Sequence, residues 1–253
     1  MNWLLEKDDL GNTILKKLKN NGMILTWYKD KPSGWTLKSN LWSPVYINLR
    51  NVGYYPMLLN DIGSAICKMI YYECPHITNL LGVSMAGIPI ATATSLASNI
   101  PMCYTRKIEG LADINDLHKY VSTYGDHKLV EGLFNKGDNF AIVDDLVTKL
   151  DSKLIALEQL KIEAERRDVS FKCDTIIVLL DREQGAQELA EKYDMKVYSL
   201  IPLKSKGMIW LRDMFSFTEN VVIPQYLNDH QPFQTTKMIN LIKNLAIGGR
   251  YYG

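Results

Sequence analysis

What the chain lacks narrows the field first. No apolar run approaches the ~20 residues that cross a bilayer, so no membrane span is expected. Neither sign of charge is in surplus: 29 Lys and Arg stand against 28 Asp and Glu, for a formal net charge of +1. That balance argues against a general nucleic-acid or membrane-surface binder, so any anion site must be local. A DNA-binding regulator is not expected, because the N-terminal segment is short for a separate helix-turn-helix domain. Cysteine is scarce as well. Cys67, Cys74, Cys103 and Cys173 show no metal-ligand spacing, and free, buried thiols are expected. The opening residues MNWLLEKDDLGN carry acids where a secretory leader is basic, which points to a cytoplasmic protein. No internal repeat or low-complexity tract is visible.

What is present suits one large domain, or a domain with an appendage: 253 residues, 47% of them apolar. Apolar periodicity predicts helices at Leu4–Leu18, with a stop at Asn20-Asn21-Gly22, and at Tyr55–Tyr72. It predicts two more at Ile90–Ser98, rich in small residues and buried, and at Lys153–Arg167, whose terminal charged run reads as a solvated face. Strands are expected at Met23–Tyr28, Ile77–Val83, Pro101–Arg106, Phe140–Val143, Thr175–Leu180 and Met195–Leu203. Two further strands in Gly34–Arg50 suggest a hairpin or hood. Strand–helix alternation of this kind implies an α/β fold with a parallel sheet flanked by helices. The division expected is a main domain, residues 1–206, and a helical extension, residues 207–253. In the extension, Met208–Phe215 and Met238–Leu245 read as helical, Pro224 and Pro232 break the stretch between them, and Trp210, Phe215 and Phe217 dock on the main domain.

The chemistry concentrates in Asn139–Leu157, NFAIVDDLVTKLDSKLIAL. It reads as a buried strand, an acidic tip at Asp144 and Asp145, a turn bearing Thr148 and Ser152, and a helix N-terminus. Free N–H groups and a partial positive charge at such a terminus suit a phosphate. Carboxylates at the end of a parallel strand suit ribose hydroxyls or a hydrated Mg²⁺. Taken alone, a strand followed by acids and a turn occurs in any α/β domain. Other stretches read in the same two ways. Lys38 alone is an ordinary strand lysine, Gly82–Pro89 a tight strand-to-helix turn, Arg106-Lys107 a solvent-facing basic pair, and Asp181-Arg182 a local ion pair.

Their order along the chain resembles the orotate phosphoribosyltransferases, members of the type I phosphoribosyltransferase family. The central stretch is similar to that family's signature for phosphoribosyl pyrophosphate (PRPP), an apolar strand, two acids, two apolar residues and a phosphate loop. WTLKSNLWSPVYINLR is similar to its "LKSG…SP.YI.LR", with Asn40 in place of glycine, and GVSMAGIP stands where it has "G.PYGALP". HKLVEG matches its "KLVEG", and IVLLDREQGA its "VLLDREQGG". The resemblance spans Thr36 to Leu203. It implies a type I phosphoribosyltransferase fold with a hood, and transfer of 5-phosphoribose from PRPP to orotate in pyrimidine (UMP) biosynthesis.

It implies site residues as well. Lys38, Lys107, Asp144 and Asp145 would be catalytic. Arg106, Lys107, Asp144, Asp145, Thr148, Lys149 and Ser152 would bind PRPP, and Lys38, Thr148 and Arg182 would meet orotate. Mg²⁺ would be held mainly through PRPP and waters, with Asp144 and Asp145 as outer-shell partners, in a homodimer whose mobile loop crosses between subunits. Two departures stand out. Lys149, Leu150 and Asp151 replace a hydroxyl residue and glycines, and Leu150 and Asp151 cannot take positive φ cheaply. An insertion over residues 108–126 puts Ser122 in place of the usual loop lysine, with Lys119, Lys128, His118 or His127 as stand-ins. These departures leave a second reading open: a catalytically weak or inactive relative that binds a nucleotide or a partner in a regulatory role.

Overall fold

The computed structural model describes residues 2–37, 39–111, 113–123 and 127–248. Helix α1 (Trp3–Asn20) is followed by four short strands, β1 (Ile24–Thr26), β2 (Trp35–Thr36), β3 (Trp42–Ser43) and β4 (Val45–Ile47). Then come α2 (Pro56–Glu73), β5 (Asn79–Gly82), α3 (Gly87–Ser98), β6 (Met102–Thr105), α4 (Ile114–Thr123), β7 (Val130–Glu131) and β8 (Asn139–Val147). The chain continues through α5 (Asp151–Arg166), β9 (Lys172–Asp181), α6 (Ala186–Glu191), β10 (Lys196–Pro202), the single turn α7 (Met208–Trp210), α8 (Phe217–Asn228) and α9 (Thr236–Gly248).

A six-stranded sheet in the order β10-β9-β8-β5-β6-β7 forms the centre. All of its pairings are parallel except β6 with β7. The middle strands are covered on both faces, which is why Phe140–Val143 and Thr175–Leu180 are nearly unbroken apolar or β-branched runs. Alternate residues feed two cores. Ala141, Val143, Ile177 and Leu179 pack with α1, α2 and α3, while Phe140, Ile142, Ile176 and Val178 pack beneath α5 and α6. The expected hood is two antiparallel pairs, β1 with β4 and β2 with β3.

The extension shares the first core through Leu211, Phe215, Ile223, Tyr226, Phe233 and Ile242. It is tied to the hood: Trp27 Nε1 donates to the Ile242 carbonyl at 2.9 Å, and Gln234 exchanges bonds of 2.8 and 3.1 Å with the Trp42 backbone. Buried Glu219 accepts from Thr26 Oγ1 and closes a capping box with Ser216. That box, with Val222, Ile223, Tyr226 and Leu227 buried, carries α8 straight through Pro224, which does not break it as the sequence suggested. Phe217 does not dock either. As the first residue of α8 it lies off the buried face and is 85% exposed.

Two further expectations need correction. The run closing α5 is a solvated face only in part: Lys161, Glu165 and Arg166 are exposed, but Glu163 is buried. It accepts from Leu129 N at 3.1 Å and from Arg167 at 2.9 Å, fixing the approach to β7. Helix α3 buries one face only: Gly87, Ile90, Ala91 and Thr94 face inward and Leu96 faces out.

Candidate active site

The C-terminal ends of β5, β6, β8 and β9 lie on one edge of the sheet, where parallel folds bind ligands. At the tip of β8, Asp144 is 6% exposed. Its Oδ1 accepts from the Asp145 N–H at 2.9 Å, and its Oδ2 lies 2.7 Å from Nζ of Lys153. Lys153 is 3% exposed and also donates to the Leu146 carbonyl at 2.6 Å. Asp145 is partly exposed and accepts from Leu146 N at 2.8 Å. Burial, and then the adjacent Asp144 charge, push the Asp145 carboxyl up to about 7, against a downward pull from Lys153.

The strand–helix turn after β5 is seated directly on this tip. Val83 N donates to the Val143 carbonyl at 2.9 Å, and Ser84 N to Thr105 Oγ1 at 3.1 Å, joining the ends of three strands. Gly87 opens α3 against Asp144. A Cβ there would sit 2.4 Å from the Val143 carbonyl oxygen and 3.0 Å from Asp144 Cα, so no side chain fits.

The loop from β8 into α5 answers the first departure. Leu150 is fully buried in the second core at φ −94°, ψ 0°, an ordinary right-handed conformation, and no residue from 148 to 152 takes positive φ. A leucine anchor thus sets the turn that glycines would otherwise allow. Lys153 N and Leu154 N both donate to the Leu150 carbonyl at 2.8 Å, and no side chain caps the helix. Thr148 is partly exposed, and Lys149, Asp151 and Ser152 are exposed around this N-terminus.

Arg182 follows β9 beside β8, its N–H donating to the Val147 carbonyl at 3.1 Å. Its Nε is buried with no hydrogen-bond partner among the described residues. Glu183, at φ 55°, donates its N–H to Asp181 Oδ1 at 2.7 Å, and its carboxylate accepts from Ser205 N at 2.7 Å. Burial holds the Asp181 carboxyl above its ordinary range. On the far side, Arg106 and Lys107 leave the end of β6 with exposed side chains, and Gln159 Nε2 holds the Arg106 carbonyl at 3.0 Å. Lys38 lies outside the described residues.

The insertion contains a helix. Leu117 of α4 is fully buried, and His118 Nε2 lies 3.1 Å from Glu158 Oε1 of α5. Lys119 and Lys128 are exposed.

Lys153 was not singled out from the sequence, although a signal was present. Lys153, Ala156, Leu160 and Ala164 form the buried stripe of α5, and a lysine in such a stripe, next to two acids, asks for a counter-charge.

No family model matches the chain. An orotate phosphoribosyltransferase of Methanocella arvoryzae is 29% identical over 189 residues, covering 74% of this chain and 92% of that protein. Over about three quarters of its length the chain is similar to orotate phosphoribosyltransferases. Bovine uridine 5′-monophosphate synthase is 29% identical over 188 residues, 73% of this chain but only 35% of that longer protein. Among solved structures of this fold, Leishmania donovani UMP synthase superposes with a TM-score of 0.67 at 24% identity, covering 86% of this chain and 42% of that one.

Proposed function

We propose that the chain is an orotate phosphoribosyltransferase, which joins orotate to the 5-phosphoribosyl group of PRPP and releases pyrophosphate. The observation that supports this best is the placement of Asp145, the uncapped start of α5 and Arg182 on neighbouring strand ends of one edge. In the reaction a ring nitrogen of orotate bonds to C1 of the ribose, and the C1–O bond breaks with its electron pair leaving on pyrophosphate. Orotate is already an anion, so little base catalysis is needed. The barrier lies in charge separation at C1, which fixed polar groups stabilise without reorganising.

Each group then has a task. Thr148, Ser152 and the first N–H groups of α5 hold the 5′-phosphate, with exposed Lys149 beside them. Asp145, next to Asp144, accepts from the ribose hydroxyls. Arg106 and Lys107 meet pyrophosphate together with the Met85 and Ala86 N–H groups of the turn after β5, and Lys38 is assigned to the same end of the substrate. Arg182 offers its unpaired Nε–H to the carboxylate or carbonyls of orotate.

The donor set fits a Mg²⁺ that arrives on the substrate. Among the described residues no three ligating side chains converge, and Asp144 is already paired with Lys153. Asp145 would reach only the ion's waters, and the ion would neutralise charge on the departing pyrophosphate. The enzyme would act in the cytoplasm as a homodimer.

Orotate absorbance should fall when purified protein is mixed with PRPP, Mg²⁺ and orotate. Tight PRPP binding without turnover at high protein concentration would instead favour a regulatory relative. Turnover confined to another base would reassign Arg182.

A further inference from the structure

We propose that Lys153 is a positioning residue: it commits Asp144 to the protein interior and leaves Asp145 as the one carboxylate of the pair that touches the sugar. This rests on the PRPP reading above and divides a task that the twin acids would otherwise share. Both oxygens of Asp144 are engaged, Oδ1 by the Asp145 N–H at 2.9 Å and Oδ2 by Lys153 Nζ at 2.7 Å. The side chain is 6% exposed, and Gly87 approaches it so closely that a Cβ there would lie 3.1 Å from Asp144 Oδ1. Asp145, one residue on, is partly exposed.

The placement of Lys153 is costly unless it has a purpose at this site. An ammonium in the first turn of a helix sits at the positive end of the dipole, and a buried one has lost its water. Asp144 and the Leu146 carbonyl, 2.7 and 2.6 Å away, replace that water. The same contacts join the two ends of the Val147–Ser152 turn, so the lysine pins the acidic strand tip to the start of the phosphate-binding helix. Without Lys153, Asp144 would be an unpaired buried anion beside the place where a doubly charged phosphate must settle. Lys153 therefore helps PRPP by cancelling an internal charge and makes no contact with PRPP itself.

The test is suppression. PRPP binding is titrated by calorimetry with the full-length wild type, K153M, D144N/K153M and D145N, and each is melted to confirm folding. K153M should weaken PRPP about tenfold or more, with the KM for orotate unchanged. D144N/K153M removes both charges together. It should bind PRPP within about fivefold of wild type, even if K153M alone folds too poorly to assay. D145N should lose about a hundredfold. A folded D144N/K153M that binds PRPP as poorly as D145N would overturn the inference, because Asp144 or Lys153 would then touch the ligand. A wild type that binds no PRPP would overturn the reading of the pocket itself.

Discussion

Asp145 shows how one residue's surroundings set both its function and its cost. Its carboxyl is pushed up to about 7 in the folded chain, against 3.8 for an ordinary aspartate, because it is half-buried beside another acid. The folded state thus binds a proton that the unfolded state has released across that window. Stability from this group is intact below pH about 4 and is lost as pH rises through about 7. D145N removes that loss. Its melting temperature should exceed the wild type's by a few degrees, about 3 °C at pH 8, and the two should converge below pH 4. A constant difference across pH 4 to 8 would place the titration elsewhere.

At the scale of elements, the turn between β8 and α5 is the clearest departure from expectation. Leu150 fills the core where the family pattern has glycine, so it does the anchoring that sequence comparison would call damage. L150A should lower stability by about 2–4 kcal/mol in urea titrations, since it leaves a cavity under the helix start. A loss below 1 kcal/mol would mean the anchor is dispensable. The same turn marks how far the sequence could be read. The strands of the sheet were legible because burial on both faces leaves a plain apolar signature in Phe140–Val143 and Thr175–Leu180. The acidic tip and Arg182 were legible because a short motif spells them. Glu163 was not, because its partner Leu129 lies far along the chain and only folding brings them together, and Lys153 was not, because a lysine near a helix start reads as exposed until the turn folds it back onto Asp144. Pro224 was misread for a related reason: the cap and the buried face that hold α8 around it outweigh a local preference.

Across the whole molecule, the sheet gathers on one edge residues drawn from Gly82 to Arg182, and the hood and extension share a core with the other face. Among the described residues no helix is long and apolar enough to cross a membrane. We propose that this edge forms one pocket with a sugar-phosphate end at Asp145 and a base end at Arg182. Steady-state kinetics of R182A separate the two ends. The KM for orotate should rise about tenfold or more while the KM for PRPP stays within about threefold, since the arginine serves only the base. Equal increases in both constants, or none in either, would contradict the division of the pocket.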